Sequence, residues 1–240
     1  MNSIVGYMIN QGAEPQGQFG RGYDYILAGD GLWIYSYNHL LAARIPVAMI
    51  KVRGLPLIKT RILQLLHGKI PHRLFDLALS VMLIRPEREV YTAIVWNEGY
   101  QLYVPEQSGD SGRVTYQAAE NVVVELHSHC DKGMAFSLID NADEQGFKIY
   151  GVVGDLYDES PSLNLRLGVY GYFYPLHWGD VFDGEPGGVN DKNELMGECP
   201  VCKTLVKEED FVFPMNCCKE CASGFLKPPE KEANDDRLES

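Results

Sequence analysis

The 240-residue sequence predicts a mixed α/β (α+β) domain set between a β-rich N-terminal part and a small metal-stapled module. Three observations predict it. Strand-like and helix-like runs alternate between about residues 66 and 182, the pattern of a sheet with crossover helices. The first 65 residues are rich in Gly, Tyr and aliphatic residues with turn signals but no helical period. Five of the six cysteines fall between Cys199 and Cys221. Hydrophobic residues make up 45% of the chain, enough for a packed core and against wholesale disorder. Lys plus Arg is 21 and Asp plus Glu is 33, a net charge of −12 that disfavours nucleic acid as a partner.

Taken in order, YILAGDGLWIYSY reads as two strands around a tight turn at Ala28–Gly31. Pro46–Ile58 reads as another strand and its exit. PHRLFDLALSVMLI reads as a helix. Pro71 suits its first position, Leu74, Ala78, Val81 and Met82 recur on one face, and Pro86 ends it. Glu89–Trp96 and Tyr100–Glu106 have strand composition and pair across a short turn. Ser108–Gly112 is a turn. Val122–Leu126 is an apolar, central strand. Ser137–Gly146 is a short helix, and FKIYGVVGDL and LNLRLGVYGYFY are two further strands. Residues 183–195, rich in Gly, Pro and charge, read as a linker. The module covers 196–226, and 227–240 reads as a disordered acidic tail.

No run of about 18 apolar residues predicts a membrane span, and the N-terminus lacks the basic start and apolar core of a secretory signal. The expected location is the cytoplasm, where thiols stay reduced and clustered cysteines point to metal.

The chemistry concentrates in VVVELHSHCDKGMAFSLID. His127 and His129 are two apart at a strand end, so both imidazoles point the same way. Ser137 and Asp140 have the spacing of a helix cap, which places a carboxylate at the start of the helix after that strand. Two histidines and one aspartate leave a fourth ligand position for water, as in catalytic zinc sites. Either half alone is more often a surface His pair or an ordinary cap; the conjunction is what carries information.

His127-Ser128-His129, seven residues, Ser137, two residues and Asp140 together resemble the JAMM motif of the JAB/MPN metalloproteases. The resemblance covers about residues 66–182 and is nearest the prokaryotic JAB branch, including PRTRC-type cassette proteins. It implies a cytidine-deaminase-like mixed sheet flanked by helices. It also implies a zinc-dependent, deubiquitinase-like isopeptidase that removes or processes a ubiquitin-like protein. The implied partners are that protein, its conjugates, and ThiF-like activating and conjugating proteins. His127, His129 and Asp140 would hold catalytic zinc, whose bound water has a pKa lowered toward about 7. An upstream Glu would take the water's proton and pass it to the leaving amine. Glu89 is the first choice for that role and Glu87, on the same face, its rival. Glu98 lies in a turn, and Glu125 reads as a supporting or solvated carboxylate. Ser137 would donate a hydrogen bond to the oxyanion, a contribution of about 3–4 kcal/mol. Cys130 stands where many members have Pro and reads first as a structural substitution, with an extra ligand or redox handle as the alternative.

Cys199, Cys202, Cys218 and Cys221 form C-x2-C-x15-C-x2-C, a structural zinc signature, with Cys217 as a rival to Cys218. Metal would supply much of the stability of so small a module. Its scattered lysines are offset by acids, which favours a protein partner over nucleic acid. GQFGRG reads as a loop, and His39, His67, His72 and His177 have no ligand partners at useful spacing. The alternative function is an inert JAB-fold scaffold that binds partners through its zinc ribbon.

Overall fold

A computed structural model of the chain describes residues 3–12, 14–58, 60–109, 114–117, 119–130, 133–193, 196–199, 201, 205–207, 210–212 and 217–221. The chain divides into two compact units, Met1–Leu195 and Met196–Ser240. It is a mixed α/β protein made mostly of strands, and the first unit holds two mixed sheets.

The first sheet contains β1 (Val5–Asn10), β2 (Pro15–Gln18), β3 (Tyr23–Ala28), β4 (Gly31–Tyr37), β5 (Leu41–Met49) and β6 (Ile62–Leu65), in the order β2-β1-β3-β4-β5-β6. The expected hairpin around Ala28–Gly31 is β3–β4. Gly31 turns it with φ 134°, a backbone that disfavours a side chain. Asp30 Oδ1 ties the hairpin down by accepting from Ile58 N and Trp33 Nε1.

The second sheet follows α1 (His72–Ile84), which buries Leu74, Phe75, Ala78, Leu79 and Met82. Pro71 sits one position earlier than expected, at the N-cap. The strands are β7 (Tyr91–Trp96), β8 (Tyr100–Tyr103), β11 (Val122–Ser128), β12 (Phe147–Gly154), β13 (Ser162–Val169) and β14 (Tyr172–Leu176), in the order β14-β13-β12-β11-β7-β8. A separate hairpin, β9 (Gln107–Gly109) with β10 (Val114–Tyr116), falls where a bare turn was expected. The interior place of β11 agrees with its apolar run. It lies parallel to β12 and antiparallel to β7, and α2 (Leu138–Asp143) makes the crossover between β11 and β12. Ligands gather at the carboxyl ends of such parallel strands, where the crossover begins.

Two expectations need correction. LNLRLGVYGYFY is a hairpin and not one strand: Tyr170 (φ 49°) and Gly171 (φ 90°) form a two-residue turn between β13 and β14. The expected linker 183–195 is not free over its described residues, 183–193. β15 (Asn190–Asp191) pairs with β13, and Asp191 Oδ2 accepts from Trp178 N, the first residue of α3 (Trp178–Val181), at 2.7 Å. Asn193 Nδ2 donates to the carbonyls of Leu165 and Leu176. Its polar composition serves buried hydrogen bonds that the chain would otherwise have to supply from elsewhere.

The second unit contains two small hairpins among its described residues. They are β16 (Met196–Glu198) with β17 (Leu205–Lys207), and β18 (Phe211–Val212) with β19 (Cys217–Cys218). The tail at 227–240 lies outside the described residues. Among the described residues no helix is long and apolar enough to cross a membrane.

Candidate metal centre

The centre forms where β11 ends. Alternation along β11 puts Glu125 and His127 on one face, with Leu126 and Ser128 buried on the other. Ser128 fastens this end to the neighbouring chain: its N donates to Val90 O, and its hydroxyl accepts from Val90 N. His129 N donates to Val153 O, so the backbone stays anchored to β12 one residue past the strand. Both imidazoles therefore project from fixed backbone.

Ser137 caps α2. Its hydroxyl accepts from Asp140 N at 3.1 Å, and Asp140 Oδ2 accepts from Ser137 N at 2.5 Å, a complete capping box. This box aims the carboxylate at the histidines. Asp140 Oδ1 lies 3.4 Å from His127 Nε2, Asp140 Oδ2 lies 3.6 Å from His129 Nε2, and the two Nε2 atoms are 3.2 Å apart. Ligands about 2.0–2.1 Å from a zinc ion occupy tetrahedral corners about 3.3–3.4 Å apart. The separations are of that order, although Asp140 faces the two imidazoles through different oxygens; with one ligand atom from each residue, all three lie within 4.8 Å of one another, so this donor set could hold one metal ion.

The electrostatics agree with the geometry. Burial works against a charge on Asp140, yet hydrogen bonds from His127 and His129, the charge of His127 and the Ser137 N–H hold its carboxyl far below the usual range. Burial also lowers the pKa of His129, but Asp140, then the charge of Glu89, then the Gly133 carbonyl outweigh it, and the net shift is upward. His129 Nδ1 faces Gly133 O at 3.1 Å, a contact that fixes the orientation of the ring with Nε2 toward Asp140.

The candidate upstream acids also have definite places. β7 begins at Tyr91, two residues later than expected, and Tyr91 pairs with His127. The same register carried on sets Glu89 opposite His129, on the metal face. Glu89 is half-buried and its charge acts on His129, whereas Glu87 is exposed. Glu98 sits in a turn at φ 53°. Glu125 is engaged by Lys148 Nζ at 2.9 Å and Tyr91 Oη at 3.0 Å, which accounts for its charge. Cys130 is buried and stands outside the His127, His129, Asp140 group.

Sequence reasoning missed Arg166 and Glu144. Arg166, on β13, is buried with its guanidinium 3.6 Å from the Phe136 ring and 3.7 Å from the Phe173 ring. Its Nε and Nη2 both donate to Glu144 Oε2, at 3.0 and 2.6 Å, and Nη1 donates to Asn141 Oδ1 at 2.5 Å. Burial raises the Glu144 carboxyl to about 7, against the pull of Arg166 and His127. Two guanidinium donors on one oxygen are the geometry of an ion pair. The available signal was one Arg inside an otherwise uncharged strand, LNLRLGV.

Gly154 shows how tightly the centre is backed. A Cβ there would collide with the backbone of Gly133 and Met134. Gly133 supplies the carbonyl that orients His129. Gly154→Ala is therefore expected to lower both the thermal midpoint and metal affinity, measured by calorimetry and chelator competition.

In the second unit, Cys199, Cys218 and Cys221 form a second group able to hold a metal, with Cys199 and Cys221 sulfurs 4.0 Å apart. Cys218 N donates to Cys199 Sγ at 3.3 Å. The group takes Cys218 and not its buried neighbour Cys217; Cys202 lies outside the described residues.

No protein-family model matches the chain, and no curated protein matches it.

Proposed function

We propose that the protein is a zinc-dependent isopeptidase of the JAB/MPN type, acting on a ubiquitin-like protein or its conjugates within a ubiquitin-like conjugation system. The observation that carries this reading is the grouping of His127, His129 and Asp140, whose ligand atoms lie within 4.8 Å of one another, with the charge of Glu89 acting on His129. His127, His129 and Asp140 would hold the zinc, which when bound supplies Lewis acidity and makes water acidic enough to attack at neutral pH.

The chain's own groups divide the remaining work. Glu89 takes the proton of the attacking water and delivers it to the departing amine, which for an isopeptide is a lysine side chain. The Ser137 hydroxyl accepts from Asp140 N, which leaves its proton to donate to the oxygen that becomes negative. Leu138 and Ile139, at the start of α2, are 86% and 65% exposed and offer apolar contact to a polypeptide beside the cleavage point. The cysteine group would hold a second, structural zinc.

Ser137→Ala is expected to lower kcat about 10²–10³-fold, with KM nearly unchanged, since the donated bond forms only as charge develops. It also removes the cap, at a cost of about 1 kcal/mol measurable by thermal melting. The reading as a whole is tested by incubating zinc-loaded protein with a ubiquitin-like protein fused or isopeptide-linked to a target. Cleavage at the last residue of the ubiquitin-like part is the expected result. Two bound zinc ions without cleavage of any such substrate would favour the inert scaffold.

A further inference from the structure

We propose that Arg166 is a positioning residue: its guanidinium docks α2 on the second sheet and so sets Asp140 and Ser137 against the two histidines. The bearing on metal rests on reading His127, His129 and Asp140 as ligands. A six-residue helix is too short to stand alone in water, and most helices in proteins are held by a buried apolar face. α2 has no such face. No residue of Leu138–Asp143 is buried, and its two large apolar side chains, Leu138 and Ile139, are turned to solvent. The capping box closes the first turn but ties α2 only to itself.

Arg166 supplies the attachment from the sheet. It pairs with Tyr150 of β12, which pairs with Glu125 of β11, so its side chain rises from the same face as His127. Nη1 donates to Asn141 Oδ1 within the helix, and Nε and Nη2 donate to Glu144 Oε2 at the C-cap. Phe136, the residue before the N-cap, sets its ring against the guanidinium, as does Phe173 of β14, and a cation over a ring face is attracted. The helix is thus gripped before its start, within it and just past its end, with Asp140 between these points. A buried charge persists only when paired and hydrogen-bonded, and these partners account for an Arg that is 7% exposed inside LNLRLGV.

The histidines belong to the sheet and Asp140 to the helix. Their separations of 3.4 and 3.6 Å hold only while helix and sheet keep their places. Arg166→Lys keeps the charge but gives up the planar fork that reaches Asn141 and Glu144 together and lies against the rings.

The test uses the full chain. Amide exchange, read by ¹H–¹⁵N correlation on metal-free protein, follows the Asn141 and Glu144 N–H groups, which donate to Ser137 O and Asp140 O. Competition with a chromogenic chelator gives zinc affinity, and cobalt spectra separate the histidine site from the thiolate site. In the wild type both amides are expected to exchange at least about 10-fold slower than in a free peptide. In R166K their exchange is expected to rise about 10-fold with β11 and β12 amides unchanged, and histidine-site affinity to fall about 10–100-fold with the cysteine site unchanged. Wild-type amides that exchange at the free-peptide rate overturn the proposal without reference to any variant. A folded R166K whose α2 exchange or histidine-site affinity stays within twofold of the wild type also overturns it, as does one in which β11 and β12 loosen as much as α2. If R166K does not fold, Phe136→Leu decides, because that ring comes from outside the sheet: faster exchange confined to α2 upholds the docking, and unchanged exchange overturns it. A wild-type chain that takes no ion at the histidines overturns the metal reading alone; exchange in the metal-free chain still decides whether Arg166 docks α2.

Discussion

Glu89→Gln is expected to leave zinc bound and to lower kcat by about 10²–10⁴-fold, the contribution of a positioned acid–base group. The variant keeps the length and polarity of the side chain but cannot carry a proton between water and the leaving amine. Glu89 lies opposite His129 by continuation of the Tyr91–His127 register, close enough for its charge to act on that ring. It is absent from the group of three residues whose ligand atoms converge. Metal content and turnover should therefore separate: zinc per chain as in the wild type, cleavage nearly gone. Glu87→Gln, at an exposed position, should cleave at the wild-type rate. Loss of activity in Glu87→Gln with full activity in Glu89→Gln would reverse the assignment. The pair is best measured in one assay on one substrate.

Asp140→Asn is expected to abolish cleavage by a different route, through loss of metal. Asn keeps an oxygen able to accept from Ser137 N, so the cap and α2 should survive, and melting of the metal-free chain should change little. The negative charge does not survive. It is the only charge among the three ligands when both imidazoles are neutral, and a neutral amide oxygen binds a divalent ion far more weakly. Zinc affinity should fall by more than the about 10–100-fold typical of an outer-shell partner, with the cysteine site unaffected. Chelator competition checks this, and activity should return in part at high zinc if Glu89 and Ser137 remain in place.

The parts of the centre legible from the residues alone are the ones governed by local geometry. Strand alternation puts residues two apart on the same face, which is why His127 and His129 could be paired without coordinates. A helix cap works over three residues, so Ser137 and Asp140 could be read as a unit, and the capping box is present. The apolar run of β11 announced an interior strand, and the helical period of α1 announced its buried face. Less legible were features built from contacts between distant segments. The turn at Tyr170–Gly171 was missed because only Gly signals a left-handed position reliably and Tyr170 shares the turn. The segment 183–193 has the composition of a linker, yet the side chains of Asp191 and Asn193 are spent on backbone groups of α3, β13 and β14.

Local periodicity and capping chemistry, written in consecutive residues, were enough to pick out His127, His129 and Asp140, which the fold brings together, and the helix that presents one of them. Residue order alone already ranked Glu89 ahead of Glu87; the pairing of β7 with β11 added how far along their shared face each lies, with Glu89 half-buried and Glu87 exposed. Arg166 and Glu144 were beyond reach in the chain alone. Twenty-two positions separate them, and no spacing rule links a strand residue to the end of a helix until the sheet brings them together. Backbone stereochemistry acts between neighbours and can be read along a sequence; register and burial act between strangers and exist only once the sheet has formed.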